Sequence, residues 1–164
     1  MNYLDSKLKF MKPIYFLLFV FLIACKNETN IPVEKETQTS TFSIEHIDAR
    51  QGYSEAVIVE ANGTKTIYIS GQVGEGEDFE AQFRDAINKL TGTLENTGAT
   101  FKDVVKYSTF VVDYKPEYLD AFRAVRKEVL GDANMPASTL VGVETLGAHS
   151  WGVEIEAIAV IEAD

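Results

Sequence analysis

The chain is poor in the residues from which many catalytic and metal sites are built. Its 164 residues include one cysteine and two histidines. A single cysteine excludes an intramolecular disulfide bond. His46 and His149 belong to no metal-binding motif such as His-Glu-x-x-His, so we expect each to be a surface or loop histidine. The sequence therefore predicts neither a metal ion nor a cofactor.

Motifs that bind phosphate or activate a nucleophile are also missing. Gly71, Gly74 and Gly76 match neither the dinucleotide fingerprint nor the P-loop, and we interpret them as a loop that needs conformational freedom. No nucleophile elbow surrounds Ser70, which argues against a serine hydrolase triad. With 15 Lys and Arg against 25 Asp and Glu, the formal net charge is -10, and this charge would repel a nucleic acid.

What the chain does have, near its amino end, is an unbroken apolar run over residues 14–24. The run follows Lys12 and ends just before Cys25. It is shorter than the roughly 20 residues that a membrane-spanning helix needs. The pattern is typical of a signal peptide, residues 1–24, and Leu22–Cys25 resembles a bacterial lipobox, whose cysteine becomes lipidated. An amino-terminal core helix that contains a cysteine is the alternative interpretation.

The polar segment 25–41 is predicted to be a tether between a lipid on Cys25 and the folded part of the chain. A flexible segment of this length spans roughly 22 Å. The expected location is the cell envelope, with the protein anchored to a bacterial membrane on its periplasmic face or at the cell surface. Translation from Met1 and translation from Met11 both remain open.

Residues 42–164 are predicted to form one domain. Alternating apolar and polar residues predict strands at 42–47, 56–60, 65–70, 104–112, 139–143 and 153–161. Apolar residues three or four apart predict amphipathic helices at 79–94 and 116–129, the first of them capped by Asp78. Asn62–Gly63 is a strong hairpin signal, and Thr100 with Asp103 predicts a capping box. This order of elements predicts an α+β fold with two helices on one face of a sheet.

Several segments of this domain are similar to the motifs of one known family. They are Gly52–Ser54, Ile67–Gln72, Val104–Asp113, Pro136–Val143 and Glu154–Ala159. Together they resemble the RidA (YjgF/YER057c/UK114) family of enamine and imine deaminases, in which a Pro-x-Arg segment precedes a Glu-Ile-Glu strand. The resemblance implies a chorismate-mutase-like fold and a homotrimer with ligand clefts between its subunits.

The resemblance also assigns roles to residues. In active members an aromatic residue and a strand-end hydroxyl shape the pocket, and a glutamate positions the water that attacks the imine carbon. The matching residues here are Tyr53, Ser70 followed by Gly71, and Glu154. The family's arginine, which holds the substrate carboxylate, is replaced by Ser138 in the substrate-binding position.

Two further positions depart from the family pattern, since Leu140 replaces a cysteine and Ala121 replaces an asparagine. Each matched residue also has a structural interpretation. Tyr53 could be a core aromatic residue, Ser70 a strand-end cap, and Glu154 an exposed acid on the outer face of the last strand.

The loss of the arginine limits the ligands that the resemblance implies. A charge-assisted contact to a carboxylate contributes roughly 1.5–3 kcal/mol, and a serine hydroxyl cannot replace that charge. We therefore expect a small, neutral or cationic ligand, unless Arg50 supplies the missing charge. The expected function is an imine or enamine deaminase-type hydrolase, and the alternative is a non-catalytic ligand-binding or protein-interaction module. A ribonuclease is disfavoured because no basic stripe is present.

Overall fold

Six strands and two α-helices make up the computed structural model, which describes residues 42–131 and 135–163. They are β1 Phe42–Arg50, β2 Tyr53–Ala61, β3 Thr64–Val73, α1 Phe79–Asn96, β4 Val104–Val112, α2 Tyr118–Leu130, β5 Ala137–Val143 and β6 Val153–Glu162, with a 3₁₀ turn at Phe101–Asp103. The order of elements is the predicted one, and most strands extend a few residues beyond their predicted ends. The predicted signal peptide, Cys25 and the predicted tether lie outside the described residues.

The strands form one sheet in the order β1-β2-β3-β6-β4-β5. All neighbouring strands are antiparallel except β4 and β5, which are parallel and are joined through α2. Both helices pack on the same face, because α1 contacts β3, β6 and α2. The predicted α+β class is confirmed. Strand β6, last in the sequence, therefore lies in the middle of the sheet.

The hydrophobic core lies between the sheet and the two helices. The buried stripe of α1 consists of Phe83, Ala86, Ile87, Leu90 and Leu94, and that of α2 consists of Phe122 and Val125. Strand β6 contributes alternate residues from Val153 to Ala159 to the same core. Burial at these spacings follows from the helical and strand periodicities in the sequence, so the predicted core is confirmed.

The predicted caps and turns are also present. Asp78 accepts a hydrogen bond from the backbone N–H of Ala81 at 2.8 Å and so begins α1. Asp103 accepts from the backbone N–H of Thr100 at 2.7 Å, which completes the capping box. Asn62 and Gly63 both have positive φ, 52° and 75°, as a tight hairpin turn between β2 and β3 requires.

The three glycines that the sequence suggested were one flexible loop have separate roles. Gly71 lies within β3, where the chain is extended. Gly74 is buried, and a Cβ there would overlap the backbone of Gln82 in α1. Gly76 has a φ of 157° and lies against Ala81. Close approach to α1 therefore explains two of these glycines, and the loop interpretation was wrong for Gly71.

Neither described helix is long and apolar enough to cross a membrane.

Candidate active site

Two glutamates project from β6 on the face of the sheet that carries no helix, here called the open face. Val153, Ile155 and Ala157 of this strand are buried beneath the helices. Because side chains alternate along a strand, Glu154 and Glu156 point to the opposite face. Glu154 is half-buried and Glu156 is exposed. The predicted orientation of both acids is confirmed.

A β-bulge in β3 lies directly beside Glu154. The register between β3 and β6 shifts by one residue between Ile69 and Gln72, so Ser70 and Gly71 form the irregular segment. A Cβ added to Gly71 would overlap the carboxylate of Glu154. The glutamate side chain therefore lies across the backbone of Gly71, in space that any other residue would fill. Bulges of this kind often re-aim the backbone next to functional sites.

The carboxyl of Glu154 is in an environment that disfavours its charge. Burial raises the pKa of Glu154 above its ordinary value, and the negative charge of Glu156 raises it further. A raised pKa makes the carboxylate a stronger base, which suits a group that must take a proton from water. Ser70 follows the buried residues Ile67 and Ile69 in β3. Its hydroxyl is not free, because its Oγ donates a hydrogen bond to the backbone oxygen of Ser54 at 2.6 Å.

A shallow depression lies beside Glu156 on the open face. Its volume is about 170 Å³, and its side chains include Tyr68, Lys106, Ser108, Glu156 and Ile158. Lys106 supplies a positive charge to the same face as Glu154. Lys106 was not predicted from the sequence as a site residue. The depression is smaller than the roughly 300–1,000 Å³ of typical small-molecule sites, so one chain forms at most part of a complete pocket.

Tyr53 and Arg50 belong to a different group of side chains, centred on Glu55. Arg50 lies 2.9 Å from Glu55, and the hydroxyl of Tyr53 donates to the same carboxylate at 3.4 Å. Gln72, which is buried, donates to the second oxygen of Glu55 at 3.3 Å. The charge of Arg50 is thus already paired. The structure gives Tyr53 no contact with Glu154 within the described part of one chain.

Ser138 is far from Glu154 within one chain. Phe110 of β4 pairs with Glu154 on one side and with Val141 on the other, so Val141 is the β5 residue level with Glu154. Val141 lies two strands away from Glu154, at a distance of about 9.5 Å. Ser138 lies about 10 Å further along β5.

Ser138 also faces the other way. It pairs with Tyr107, whose hydroxyl accepts a hydrogen bond from Arg126 of α2 at 3.4 Å, so it lies on the helix-covered side of the sheet. Of the five residues that the sequence placed in the site, a single chain brings together Gly71 and Glu154, with Ser70 adjacent in the bulge. The described contacts of one chain bring neither Ser138 nor Tyr53 to Glu154, and the site residues stay predictions.

Comparison with known proteins identifies the family to which this geometry belongs. The family model described as endoribonuclease L-PSP matches residues 43–161. A crystal structure of a YjgF/YER057c/UK114 family member from Mycobacterium tuberculosis matches with a TM-score of 0.59 and 28% identity, covering 74% of this chain and 100% of that chain. The chain belongs to the RidA (YjgF/YER057c/UK114) family.

Other RidA relatives show how far the likeness extends. The RutC family protein YjgH of Escherichia coli (strain K12) is 31% identical over 95 residues, which cover 54% of this chain and 72% of that protein. A protein named 2-iminobutanoate/2-iminopropanoate deaminase from Dermatophagoides farinae is 35% identical over 118 residues, covering 67% of this chain and 86% of that protein. A YjgF family structure from Neisseria meningitidis superposes with a TM-score of 0.62 at 25% identity, covering 74% of this chain and 97% of that chain.

The remaining polar groups of this RidA protein offer no metal site within the described residues, since no three of their His, Asp and Glu side chains cluster as metal ligands would. His46 and His149 are both exposed, as predicted. Sequence reasoning missed the bulge and the contact between Gly71 and Glu154. The signal that could have shown them is a glycine inside an otherwise alternating strand, which often marks a bulge or a close approach.

Proposed function

We propose that this RidA protein binds a small molecule on the open face and hydrolyses an imine or enamine there, with Glu154 holding the attacking water. The observation that carries the proposal is the placement of Glu154: a half-buried carboxylate of raised pKa, lying across a glycine in a bulged strand. The relative named 2-iminobutanoate/2-iminopropanoate deaminase supports the reaction class.

In the proposed reaction, the oxygen of a water molecule forms a bond to the imine carbon while Glu154 accepts a proton from that water. The electron pair of the C=N bond moves to nitrogen, which gives a tetrahedral carbinolamine. Glu154 returns that proton to the nitrogen, so the carbinolamine carries an NH2 group. Glu154 then accepts the proton of the carbinolamine hydroxyl and passes it to the nitrogen as the C–N bond breaks, and a carbonyl compound and ammonia leave. The proton balance needs one carboxylate and no metal ion.

The site is proposed to be complete only between subunits of a homotrimer, the assembly common in the family. Ser138 is too far from Glu154 within one chain, and the depression beside Glu156 is small. The open face also exposes apolar side chains, including Tyr68 at 49% and Val141 at 37%. A sheet face with this much exposed apolar surface is typically covered by another element or chain.

Sedimentation equilibrium of the protein tests the assembly. A trimer is expected, and Tyr68→Glu, which places a charge on the open face, should dissociate it. Asn88→Glu is the matched control, because Asn88 is exposed on α1, on the helix-covered side of the sheet. A wild-type protein that stays monomeric at micromolar concentration would remove the cleft from the proposal.

The ligand is proposed to be neutral or cationic, because Ser138 stands where the family's arginine holds a carboxylate. Ammonia release from 2-iminobutanoate and from an imine without a carboxylate tests this. The wild-type protein should act poorly on 2-iminobutanoate. Ser138→Arg should raise that activity by about 10- to 100-fold, the effect of a charge-assisted contact. Ser138→Gln, of similar length and without charge, is the control, and adding Glu154→Ala to Ser138→Arg should abolish the gain.

Strong wild-type activity on 2-iminobutanoate would contradict the neutral-ligand proposal and would point to another cation. Lys106 is the first candidate, because it lines the depression beside Glu156. Lys106→Gln should then reduce activity on 2-iminobutanoate more than on the neutral imine.

A non-catalytic ligand-binding module is the second candidate function, favoured by the same Ser138. It predicts that ligands raise the melting temperature of the protein while no imine yields ammonia above the rate in buffer. A deaminase must release ammonia, so the two functions are distinguished by one assay.

Attachment to the membrane is proposed from the sequence alone. The apolar run at 14–24, followed by the chain's single cysteine, supports lipidation of Cys25. Cys25→Ser should move the protein from the membrane fraction to the soluble fraction. Retention of this variant in the membrane with an uncleaved leader would contradict lipidation.

A further inference from the structure

A second cavity lies on the helix-covered side of the sheet, at the amino-terminal ends of α1 and α2. We call it the Trp151 pocket, after the tryptophan in the loop between β5 and β6. Its volume is about 600 Å³, within the range of small-molecule sites. Val153 lines it, whereas Glu154 points to the open face. The two sites therefore lie on opposite faces of β6.

The walls of the Trp151 pocket are held by close backbone contacts. A Cβ at Gly74 would overlap the backbone of Gln82, and a Cβ at Gly152 would overlap the Gln82 side chain. Gln82 in turn donates to the backbone oxygen of Gly76 at 3.0 Å, and Val112 donates to the oxygen of Gly152 at 2.9 Å. Two glycines and one glutamine thus bring the loops against α1, so the pocket exists before any ligand arrives.

Aromatic rings form part of the lining. Phe79 and Tyr118 are stacked with ring centroids 4.6 Å apart and planes at 2°. Trp151 is 39% exposed, and its six-membered ring packs against Gly147. The ammonium group of Lys115 lies over the ring of Tyr118, 5.9 Å from its centroid. That ring face therefore already accepts an ammonium ion, supplied by the chain itself.

Negative charge predominates around these rings. Glu77, Asp78 and Asp113 line the pocket together with Lys115 and His149. Asp78 is engaged in capping α1, whereas Glu77 and Asp113 are exposed. The formal net charge of the whole chain, -10, further attracts cations toward its surface.

We propose that the Trp151 pocket binds a small organic cation, an alkylated or quaternary ammonium compound. The cation would lie against Tyr118 in the place of the Lys115 ammonium, with Asp113 and Glu77 as counter-charges. The flexible Lys115 side chain would move into solvent. This site is separate from the Glu154 site and does not depend on imine hydrolysis.

The chain's single tryptophan makes a direct test available. Choline and its neutral isostere 3,3-dimethylbutan-1-ol are titrated into the full-length protein, with Trp151 fluorescence as the signal and ionic strength held constant. Choline should give a saturable change, and the isostere, which has the same shape without the charge, should bind several-fold more weakly. Equal binding of both compounds, or no saturable change with choline, would overturn the proposal.

Three variants test the individual contacts. Tyr118→Leu keeps an apolar side chain but removes the ring, and should weaken choline binding by about 2- to 25-fold. Asp113→Asn should weaken it by about 2- to 5-fold. Asparagine suits this position, because Asp113 has a φ of 50° and Asn tolerates that conformation.

Lys115→Ala is the decisive variant, because it removes the competing ammonium. It should tighten choline binding, whereas a pocket for anions would bind its ligand more weakly without this lysine. Weaker choline binding by Lys115→Ala would contradict the proposal. Glu154→Ala should leave choline affinity unchanged, which separates this pocket from the proposed active site.

Discussion

The helix-covered face and the open face of the sheet use the same strands for different purposes. Under the helices, Ile67, Ile155 and Ala159 have almost no exposed surface. On the open face, Tyr68 is half exposed, Lys106 shares a depression with Tyr68 and Glu156, and Glu154 pairs with Phe110 of β4. One face stabilises the domain, and the other has the charge and exposure that ligand binding or self-association needs.

In strand β6 the packing of one face holds the side chains of the other. Its inward residues are fixed by packing, so its outward glutamates are held in place although they contribute little to stability themselves. A carboxylate on a rigid central strand needs no stabilising partner to keep its position. The raised pKa of Glu154 is the consequence of holding that carboxylate beside Glu156 and partly out of water.

The largest effect is expected on the covered face. Phe83 has no exposed surface and stacks on Phe122 with ring centroids 4.7 Å apart. Phe83→Ala should lower the free energy of unfolding by about 3–5 kcal/mol. Phe42, on the edge strand β1, is 65% exposed, and Phe42→Ala should change stability by less than about 0.5 kcal/mol. Urea unfolding of both variants measures the contrast, and similar losses would show that β1 is covered in the assembled protein.

The covered face is also the part of the fold that the sequence predicts best. The spacing of Phe83, Ile87, Leu90 and Leu94 allows only one face of α1 to be buried. The alternation of apolar and polar residues in β6 likewise allows only one face of this strand to be buried. These local periodicities do not specify strand order, so the central position of β6 and the parallel pairing of β5 could not be derived from them.

The open-face site was harder to predict, because it depends on long-range pairing. The sequence singled out Glu154 and Ser138 through family motifs, but their separation follows from β4 lying between β6 and β5. The need for a glycine at position 71 likewise depends on the register shift between β3 and β6. Periodicity within one segment carries no information about either feature.

A methyl group at Gly71 should disturb the open face while leaving the core intact. In Gly71→Ala the new Cβ overlaps the Glu154 carboxylate, which must turn away toward water. We expect about a 10- to 100-fold loss of the proposed activity, the usual cost of displacing a catalytic group by about 1 Å. The pKa of Glu154 should fall toward its ordinary value, because burial is the main cause of its elevation.

Carbon-detected NMR titration of Glu154 measures this change even if the protein proves to be inactive. Gly92→Ala, in α1, is the control for a glycine substitution that meets no neighbouring atom and requires no positive φ. An unchanged Glu154 pKa in Gly71→Ala would show that the carboxylate does not need the space above Gly71.

A smaller effect, opposite in sign, is expected from a polar group in the core. Thr109 has no exposed surface, and its hydroxyl has no hydrogen-bond partner among the described residues. Thr109→Val keeps the shape and removes the unpaired hydroxyl, so it should stabilise the protein by about 1 kcal/mol. Thr66→Val on β3, where the threonine is half-buried, should have almost no effect. A loss of stability in Thr109→Val would show that this hydroxyl is paired.

The smallest effect concerns the charge of Glu154 itself. Because the folded state raises the pKa of this carboxyl, its ionisation favours unfolding. The penalty is absent below the ordinary carboxyl range, near about pH 4, and it grows as the pH rises through the elevated pKa of the folded state. Glu154→Gln removes the ionisable group, so it should stabilise the protein at neutral pH and lose that advantage in acid.

The gain should stay below about 1 kcal/mol, since Glu154 is only half-buried and water screens its charge. Urea unfolding at neutral and at acidic pH measures the difference between the two proteins. Glu156→Gln should stabilise the protein less than Glu154→Gln does, because the charge of Glu156 is the lesser cause of the raised pKa of Glu154. A Glu154→Gln variant less stable than wild type at neutral pH would mean that the carboxylate is stabilised by a contact from another subunit. That outcome would place Glu154 in the intersubunit cleft as a structural ion-pair partner, and the water-holding role would have to pass to another group.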